Sequence, residues 1–368
     1  MDERFANVRE MFEQHLASGT DVGASYCVTV GDETVIDLWG GWADPERTRP
    51  WTADTIVNVY SVGKSITSLT ALLVADRGDL DLHAPVARYW PEFAAGGKAD
   101  VTVAHLLSHS SGLSGWREPI TAEDLYDWEK ATSLLAAQEP FWKPGTASGY
   151  HAVTFGYLVG EVVRRVTGRS LGTVFREEIA EPLGADFHIG LPATEDHRVA
   201  DLIIADDSPE TAFDANEIQR NAALNPQVPV ALTRTRAWRA AEIPAGNGHA
   251  NARAAAHVHA ILANLGTFGG RRFLSEAGCR TALEVQVEGQ DLVLGMPIRF
   301  GLGFAVSGGM MPHAGTLYWG GRGGAFAAAD LDAHTAIAYA MNRMSVLGES
   351  DMRGIGLAMA TWESLGHI

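Results

Sequence analysis

The stretch from residue 58 to residue 67 constrains this chain most, because it places a serine and a lysine at the start of an apolar helix. Its sequence is NVYSVGKSIT, and leucines such as Leu69 and Leu72 follow at helical spacing. If the helix begins at Ser61, that hydroxyl lies in the first turn, where free N–H groups favour a developing negative charge. Lys64 falls on the same helical face, within reach of the Ser61 proton. The pattern therefore predicts a nucleophile and its activator in one turn.

Two other interpretations of the same stretch are open at this point. A serine can simply cap a helix that also carries a solvated lysine. The glycine, lysine and serine at residues 63–65 also imitate the end of a phosphate-binding loop. That loop requires a glycine five residues before Gly63, where this chain has Asn58, so a nucleotide-binding loop is disfavoured. The serine-capped helix remains the competing interpretation until other residues are considered.

Composition excludes several classes of function. The chain has 368 residues, 46% of them apolar, and a formal net charge of −17. This charge repels nucleic-acid phosphate and anionic membranes, so we expect neither as a partner. Residues 1–5 show neither a basic nor an apolar signal segment, which favours a cytoplasmic protein. Cys27 and Cys279 lack metal-type spacing and are expected to be unpaired, buried residues.

Periodicity predicts an α+β fold. Helical spacing indicates a first helix over residues 5–16 and a last one over 351–365, with antiparallel strands between them. The predicted strands cover 24–30, 34–39, 55–59, 299–306, 317–319, 325–330 and 335–341. Further predicted helices cover 103–109, 122–137, 154–167, 171–179, 250–265 and 275–284, and residues 195–229 are interpreted as irregular loops. We predict a discontinuous α/β sandwich lobe from residues 1–78 and 195–368, and a helical lobe from residues 79–194.

Two further segments contain residues that are candidates for a catalytic site. Tyr150 follows a loop of Gly, Pro and Ser residues and precedes a helix, so its phenol is a candidate proton carrier if the Lys64 ammonium lies close enough to lower its pKa. Farther along, Trp319 precedes two glycines that permit a substrate to lie along the strand backbone. Packing of the tyrosine and a simple glycine bulge are the alternatives for these two sites.

Together, the segments around Ser61, Tyr150 and Trp319 resemble motifs of the serine β-lactamase and penicillin-binding-protein superfamily. Within it, they resemble those of the class C-like esterases, the family VIII carboxylesterases. The S-x-x-K motif is matched by Ser61 and Lys64. The Y-x-N motif keeps Tyr150 but has Ala152 instead of asparagine, and the K-T-G motif appears as a W-G-G sequence beginning at Trp319. Flanking segments are also similar: LLSHSSGL at 106–113, YLVGE at 157–161 and AEIP at 241–244, followed by NGH at 247–249.

The resemblance implies a β-lactamase/transpeptidase-like fold with the active site in the cleft between the two lobes. Ser61 would be the acylated nucleophile, and Lys64 and Tyr150 the general base and acid, in an order the sequence leaves open. The N–H groups of Ser61 and Arg322 would form the oxyanion hole. The implied substrate-binding residues are Trp319, Gly320, Gly321 and His151. No metal and no cofactor is implied, and His105 and His109 lack the glutamate of a helical zinc motif.

The expected function is hydrolysis of short-chain carboxylic esters through an acyl-enzyme. Trp319 stands where a lysine would attract a substrate carboxylate, which favours a neutral and partly hydrophobic ester. Arg322 still supplies a cation, so weak β-lactamase activity stays open. Amide or peptide hydrolysis, acyl transfer and a non-catalytic binding module are further alternatives. A small-molecule ester is the expected partner, and the sequence leaves homo-oligomer formation open.

Overall fold

An eight-stranded antiparallel sheet forms the centre of the computed structural model, which describes residues 2–204, 216–345 and 351–368. The strand order is β2-β1-β13-β12-β11-β10-β9-β8. A second sheet has the order β3-β5-β4, and β6 and β7 form a small hairpin. The strands are β1 (Gly23–Val30), β2 (Glu33–Gly41), β3 (Val57–Tyr60), β4 (Phe187–His188), β5 (Gly248–Ala250), β6 (Thr267–Phe268), β7 (Arg271–Arg272), β8 (Val287–Gln290), β9 (Pro297–Phe300), β10 (Ala305–Val306), β11 (Thr316–Gly320), β12 (Phe326–Asp330) and β13 (Thr335–Met341).

Helices cover both faces of the large sheet and fill the region between residues 79 and 194. In chain order they are α1 (Ala6–Ala17), α2 (Val62–Asp76), α3 (Val103–Leu107), α4 (Trp128–Ala137), α5 (Thr154–Thr167), α6 (Leu171–Phe175), α7 (Glu181–Leu183), α8 (Glu217–Leu224), α9 (Arg236–Ala240), α10 (Ala252–Ala263), α11 (Glu276–Thr281) and α12 (Arg353–Ser364). A π-helical turn, Arg176–Ala180, joins α6 to α7. None of the helices in the described parts of the chain is long and apolar enough to cross a membrane.

The two faces of β13 show how the sequence places these helices. Successive side chains of a strand point to opposite faces. Ala336, Ala338 and Ala340 belong to the core that contains α2 and α10. Ile337 and Tyr339, which lie between them, belong to the core beneath α1 and α12. Small side chains on one face and large ones on the other let α10 approach closely and leave the terminal helices to cover the bulkier side.

The small sheet positions the start of α2. β3 pairs with β5, and β5 pairs with β4, so strands from three distant parts of the chain meet just before Ser61. From Val62 to Val74 every residue of α2 is buried. One apolar core joins this helix to α5 and α10. The helix is therefore a rigid base for the residues in its first turn.

The predicted α+β fold, with an antiparallel sheet and helices at both termini, is confirmed by this architecture. The ranges of α5 and β13 agree with the predictions. The division into lobes at residues 78 and 194 stays a prediction.

Two boundaries and one loop region were predicted wrongly. The helix predicted over 122–137 is a 3₁₀ turn followed by α4, because the Asp127 side chain accepts a hydrogen bond from the Lys130 N–H and starts a new helix. The strand predicted over 299–306 divides into β9 and β10 at Gly303, whose φ of +94° lies outside the strand region.

The region 195–229 is not entirely irregular. It contains α8, whose start is fixed by reciprocal capping between Asn216 and Gln219. Residues 205–215 of the same region lie outside the described residues.

Candidate active site

Ser61 is the residue that caps α2, and the helix begins one residue later than predicted, at Val62. Tyr60, immediately before it, has a φ of +44°, a left-handed conformation that is unfavourable for a residue with a large side chain. This turn takes the chain sharply from β3 into α2. Such local strain is typical of functional positions that the surrounding fold holds in place.

Lys64 lies beneath Ser61 and is almost completely buried, with an exposed fraction of 2%. Its Nζ is 3.0 Å from Ser61 Oγ, 2.7 Å from the carbonyl oxygen of Ala152 and 2.9 Å from that of Ala245. The amine is thus held by two fixed carbonyl groups and directed at the hydroxyl. The i,i+3 spacing seen in the sequence accounts for one of these three contacts, and the fold supplies the other two.

Tyr150 reaches the same hydroxyl from the loop before α5. Its phenol O–H donates to Ser61 Oγ at 2.7 Å, and the indole N–H of Trp319 donates to the phenol oxygen at 3.2 Å. Lys64 Nζ lies 4.7 Å from the centre of the tyrosine ring. The structure therefore brings together the serine, the lysine and the tyrosine that the sequence singled out.

Burial determines where the protons reside. Removal from water lowers the pKa of Lys64 well below its ordinary value, which favours the neutral amine. Burial also raises the pKa of Tyr150, and the hydrogen bonds of its oxygen with Ser61 and Trp319 oppose that rise only in part. The expectation that the lysine would lower the tyrosine pKa is therefore wrong, because desolvation disfavours the phenolate and the ammonium alike. Burial therefore favours the neutral form of each group.

The loop before β5 fixes the carbonyl group that holds the lysine. A side chain at Gly63 would place its Cβ 2.4 Å from the Pro244 carbonyl oxygen, and one at Gly156 would place it 2.6 Å from the Ala245 nitrogen. At these two glycines the backbones of α2 and α5 lie directly against the loop. Asn247, which is fully buried, accepts a hydrogen bond from the Ile243 N–H and donates to the carbonyl oxygens of Trp238, in α9, and Ala241. The flanking NGH sequence signalled this residue without showing its role.

The turn after β11 lies directly against β3, the strand that ends just before Ser61. A Cβ on Gly321 would approach the Val59 carbonyl oxygen to 2.3 Å. This contact puts Arg322 next to the start of α2. Within the described residues, the backbone N–H groups of Ser61 and Arg322 have no hydrogen-bond partner. The oxyanion hole that the resemblance implied from these two N–H groups stays a prediction.

The substrate contact predicted for Trp319 and Gly320 stays a prediction, and Trp319 packs against Tyr150. Because its N–H is engaged by Tyr150, it presents mainly its ring to the cleft. Its ring centre is 5.1 Å from that of Tyr150 and 5.4 Å from that of Phe300. Gly320, the last residue of β11, is exposed. This side of the site is therefore aromatic and uncharged.

His151 is not placed for substrate contact, which corrects the prediction made for it. The residue is fully buried, Nε2 lies 2.7 Å from Ser111 Oγ, and Nδ1 lies 2.6 Å from the Gly149 carbonyl oxygen. Burial lowers its pKa to about 4. With both ring nitrogens engaged inside the protein, the side chain instead anchors the loop that carries Tyr150.

His109 is a site residue whose role the sequence did not reveal. Its Nδ1 accepts the His151 N–H at 3.0 Å, and its ring lies between those of Tyr150, 5.1 Å away, and Phe300, 4.6 Å away. Its φ of +57° is unusual for a residue other than glycine. The LLSHSSGL segment was the available signal. In the described parts of the chain, no group of three or more residues could hold a metal ion. His105 and His109 therefore belong to no such group.

The fold and the arrangement around Ser61 are those of the serine β-lactamase-like proteins. A family model described as Beta-lactamase matches residues 8–359, and the chain belongs to this family. It is 36% identical over 359 residues to Esterase/beta-lactamase LipL of Mycobacterium tuberculosis, covering 93% of this chain and 82% of LipL. It is 31% identical over 343 residues to Esterase EstB of Burkholderia gladioli, covering 86% of this chain and 84% of EstB.

A solved structure of a family VIII carboxylesterase shares 43% identity with this chain and superposes with a TM-score of 0.94, over 99% of this chain and 98% of the other. The predicted superfamily and its esterase branch are confirmed by these comparisons.

Proposed function

We propose that this protein is a serine carboxylesterase that cleaves short-chain esters through an acyl-enzyme on Ser61. The observation that carries the proposal is the line of hydrogen bonds from Trp319 through Tyr150 to Ser61 and on to Lys64. Relatives named as esterases, with 31% to 43% identity over most of the chain, support it.

Counting donors assigns the general base to Lys64. A neutral amine has two N–H donors and one lone pair, and two carbonyl groups, those of Ala152 and Ala245, take the donors. The lone pair then faces Ser61 Oγ, which already accepts a hydrogen bond from Tyr150 and must send its own proton elsewhere. Lys64 is the acceptor within reach. An ammonium at the same position would have no lone pair for this proton.

Acylation follows from these assignments. Lys64 takes the Ser61 proton as Oγ attacks the ester carbonyl carbon, and the carbonyl oxygen becomes an oxyanion held by the N–H groups of Ser61 and Arg322. When the C–O bond to the alcohol breaks, Tyr150 donates its phenol proton to the leaving alkoxide. Lys64 then returns a proton to the phenolate through a water molecule, because the acylated Ser61 Oγ no longer carries a proton, and the site is neutral again. A water molecule attacks the acyl-enzyme by the reverse of these proton transfers.

The surroundings favour a neutral ester. Trp319 presents an aromatic ring where a positive side chain would attract a carboxylate, and the net charge of −17 disfavours anionic substrates over the whole surface. Arg322 is exposed beside the site, with its guanidinium 3.1 Å from the Val228 carbonyl oxygen. This cation favours weak turnover of β-lactams as a second candidate activity, in line with the name of LipL.

Replacement of Ser61 tests the proposal. Ser61→Ala should lower turnover of p-nitrophenyl butyrate by about 10⁴-fold or more, because the acyl-enzyme can no longer form. Ser65→Ala is the matched control: it lies one turn farther along α2, is buried, and its hydroxyl has no hydrogen-bond partner among the described residues. Full activity in folded Ser61→Ala would refute the proposal, as would the failure of a fluorophosphonate to label Ser61.

A panel of acceptors separates hydrolysis from acyl transfer. With p-nitrophenyl butyrate and a competing alcohol, water should take most of the acyl group, and a chromogenic cephalosporin should be cleaved more slowly than the ester. Predominant transfer to the alcohol, or preferred cleavage of the cephalosporin, would favour the alternatives.

We also propose a cytoplasmic location, which the two free, buried cysteines, Cys27 and Cys279, support.

A further inference from the structure

The turn that carries the Arg322 N–H is fixed by hydrogen bonds on its inner side. The Gly321 carbonyl oxygen accepts the Gly324 N–H at 3.1 Å, and the Gly321 N–H donates to the Ala325 carbonyl oxygen. In a trans peptide the C=O and N–H groups point in opposite directions. Holding the Gly321 carbonyl on the inside of the turn therefore directs the Arg322 N–H outward. Its usefulness as an oxyanion donor depends on how rigidly this turn is held.

A buried arginine from the C-terminal helix holds the turn from behind. Nη2 of Arg353 donates to the Gly323 carbonyl oxygen at 2.8 Å. Nη1 of the same guanidinium donates to the Arg343 carbonyl oxygen at 2.8 Å and to Asp21 Oδ1 at 2.6 Å. Nε donates to Asp351 Oδ1 at 3.0 Å. One planar group thus joins the oxyanion turn, the segment after β13, the loop before β1 and the start of α12.

The packing leaves no room for another arrangement. A Cβ on Gly324 would lie 2.2 Å from Asp351 Oδ2 and 2.6 Å from Arg353 Nη2, and a Cβ on Gly323 would lie 2.7 Å from the Met344 side chain. Both glycines have positive φ values, +88° at Gly323 and +128° at Gly324. Because Gly323 and Gly324 have no side chains, the guanidinium and its carboxylate partner can approach the backbone of the turn closely.

The ion cluster is nearly closed to water. The side chains of Arg353, Asp21 and Asp351 are 9%, 0% and 12% exposed. Buried charges of this kind are costly unless they are paired and hydrogen-bonded, and each of these three is. Its members lie outside the serine, lysine and tyrosine cluster, and sequence analysis did not single out any of them. One of its hydrogen bonds, from Arg353 Nη2 to the Gly323 carbonyl oxygen, reaches the turn that carries Arg322.

We propose that Arg353 is a positioning residue for the oxyanion hole: by holding the Gly323 carbonyl it keeps the Arg322 N–H aligned with the developing oxyanion. The inference rests on the proposed function. Arg353 does not itself touch the substrate, and its effect is confined to the transition state, in which the oxyanion carries full charge. Loss of Arg353 should therefore lower kcat and leave KM nearly unchanged.

The test compares two variants that loosen the same cluster from opposite sides. Arg353→Met removes the bond to the turn. Tyr339→Phe removes the phenol that donates to Asp21 at 2.6 Å and leaves the bond to the turn in place. For p-nitrophenyl butyrate, Arg353→Met should lower kcat by about 10- to 100-fold, less than the 10²–10³-fold lost when an oxyanion donor is removed outright. Tyr339→Phe should remain within about twofold of the unmodified protein.

Inhibitor binding separates misalignment from general loosening. Butaneboronic acid forms a tetrahedral adduct that imitates the transition state, so Arg353→Met should weaken it by the same factor as kcat/KM. A fluorophosphonate should still label Ser61 completely in this variant, but more slowly. Turnover of Arg353→Met within about twofold of the unmodified protein would overturn the proposal, and so would unchanged affinity for the boronic acid or an equal loss of turnover in Tyr339→Phe.

A second variant covers the case in which Arg353→Met does not fold. Arg353→Lys keeps a positive charge beside the two carboxylates, but one ammonium cannot serve both carboxylates and the Gly323 carbonyl in the planar geometry of the guanidinium. We expect a smaller loss of kcat with the same proportional loss of boronic acid affinity, and unchanged turnover in this variant would also overturn the proposal. If the fluorophosphonate fails to label the unmodified protein, the proposed function itself fails. Complete labelling with equal rates in all variants contradicts only the role of Arg353.

Discussion

Two buried lysines in this molecule have nearly the same surroundings and different consequences. Lys64 is 2% exposed and Lys98 is 0% exposed. Nζ of Lys98 donates to the carbonyl oxygens of Ala95, Ala136 and Gln138, and it lies 5.2 Å from the centre of a phenylalanine ring. Nζ of Lys64 has two carbonyl partners and a tyrosine ring at 4.7 Å. The third partner differs: a backbone carbonyl for Lys98 and the Ser61 hydroxyl for Lys64.

We propose that this single difference separates a structural amine from a reactive one. Burial lowers the pKa of both lysines, that of Lys98 to about 8. Lys98 binds carbonyl groups at the end of α4, where a helix leaves acceptors without partners and favours a positive charge. Lys64 meets a group that can give up a proton. Desolvation and carbonyl contacts therefore do not make a lysine catalytic unless a hydroxyl occupies the third position.

The largest effect should come from removing the reactive amine. Lys64→Met should lower kcat for p-nitrophenyl butyrate by about 10³- to 10⁴-fold, because Ser61 loses the acceptor for its proton. Steady-state kinetics on protein shown to be folded by circular dichroism measures this loss. A variant that retains a tenth or more of the activity would remove the distinction between the two lysines.

Loss of the phenol should come next. Tyr150→Phe should lower kcat by about 10²- to 10³-fold, because the leaving alkoxide then lacks its proton donor. The loss should be smaller for p-nitrophenyl esters, whose leaving group needs little protonation, than for ethyl butyrate, and comparing the two substrates measures it. Equal losses for the two esters would contradict the role of Tyr150 as general acid.

Removing the structural amine should affect stability and not turnover. Lys98→Met leaves three carbonyl groups without their hydrogen-bond donor. Each buried carbonyl group without a partner costs about 1–3 kcal/mol. The lower end of this range for three groups gives an expected loss of about 3 kcal/mol in the free energy of unfolding, measured by urea denaturation. The value of kcat should change by less than twofold. This variant is also the stability control for Lys64→Met, in which two carbonyl groups lose their hydrogen-bond donor.

The acid side of the activity profile should report Lys64 alone. Protonation removes the lone pair that accepts the Ser61 proton, so kcat/KM should fall by about tenfold per pH unit below the lysine pKa. Because burial lowers that pKa, the decline should begin well below the ordinary pKa of lysine, 10.5. Lys98→Met should leave the profile in place. A shift of the profile in that variant would show that the two amines are coupled.

The smallest effect is a pH dependence of stability specific to Lys98. Its pKa is about 8 in the folded protein and 10.5 in the unfolded chain, so between these values the unfolded state binds more protons. Stability must then rise with pH in this window and is lost as pH falls through 8. From pH 7 to pH 9 the unmodified protein should gain about 1 kcal/mol relative to Lys98→Met. No gain would show that Lys98 keeps its proton in the folded state.

Prediction from sequence was most successful where chemistry depends on local spacing. Ser61 and Lys64 are three residues apart in a helix, and this geometry holds wherever the helix packs. The pattern of α8 was also present, since Asn216 and Gln219 form a recognisable capping pair, but the surrounding Asp, Pro and Asn residues concealed it. His151 was predicted to contact substrate on the resemblance, and its position in the motif did not determine that its side chain would be fully buried.

What the sequence by itself determined was the set of reactive groups and the family, because residue types at fixed spacing survive any change of packing. The tertiary structure alone decided their protonation and alignment. Burial by segments far apart in the chain lowers the pKa of Lys64 and raises that of Tyr150, and the carbonyl groups of Ala152 and Ala245 fix the position of the amine. The ion cluster of Arg353 likewise joins residues from both ends of the chain. Desolvation and long-range ion pairing depend on distances in space, and no local pattern encodes them.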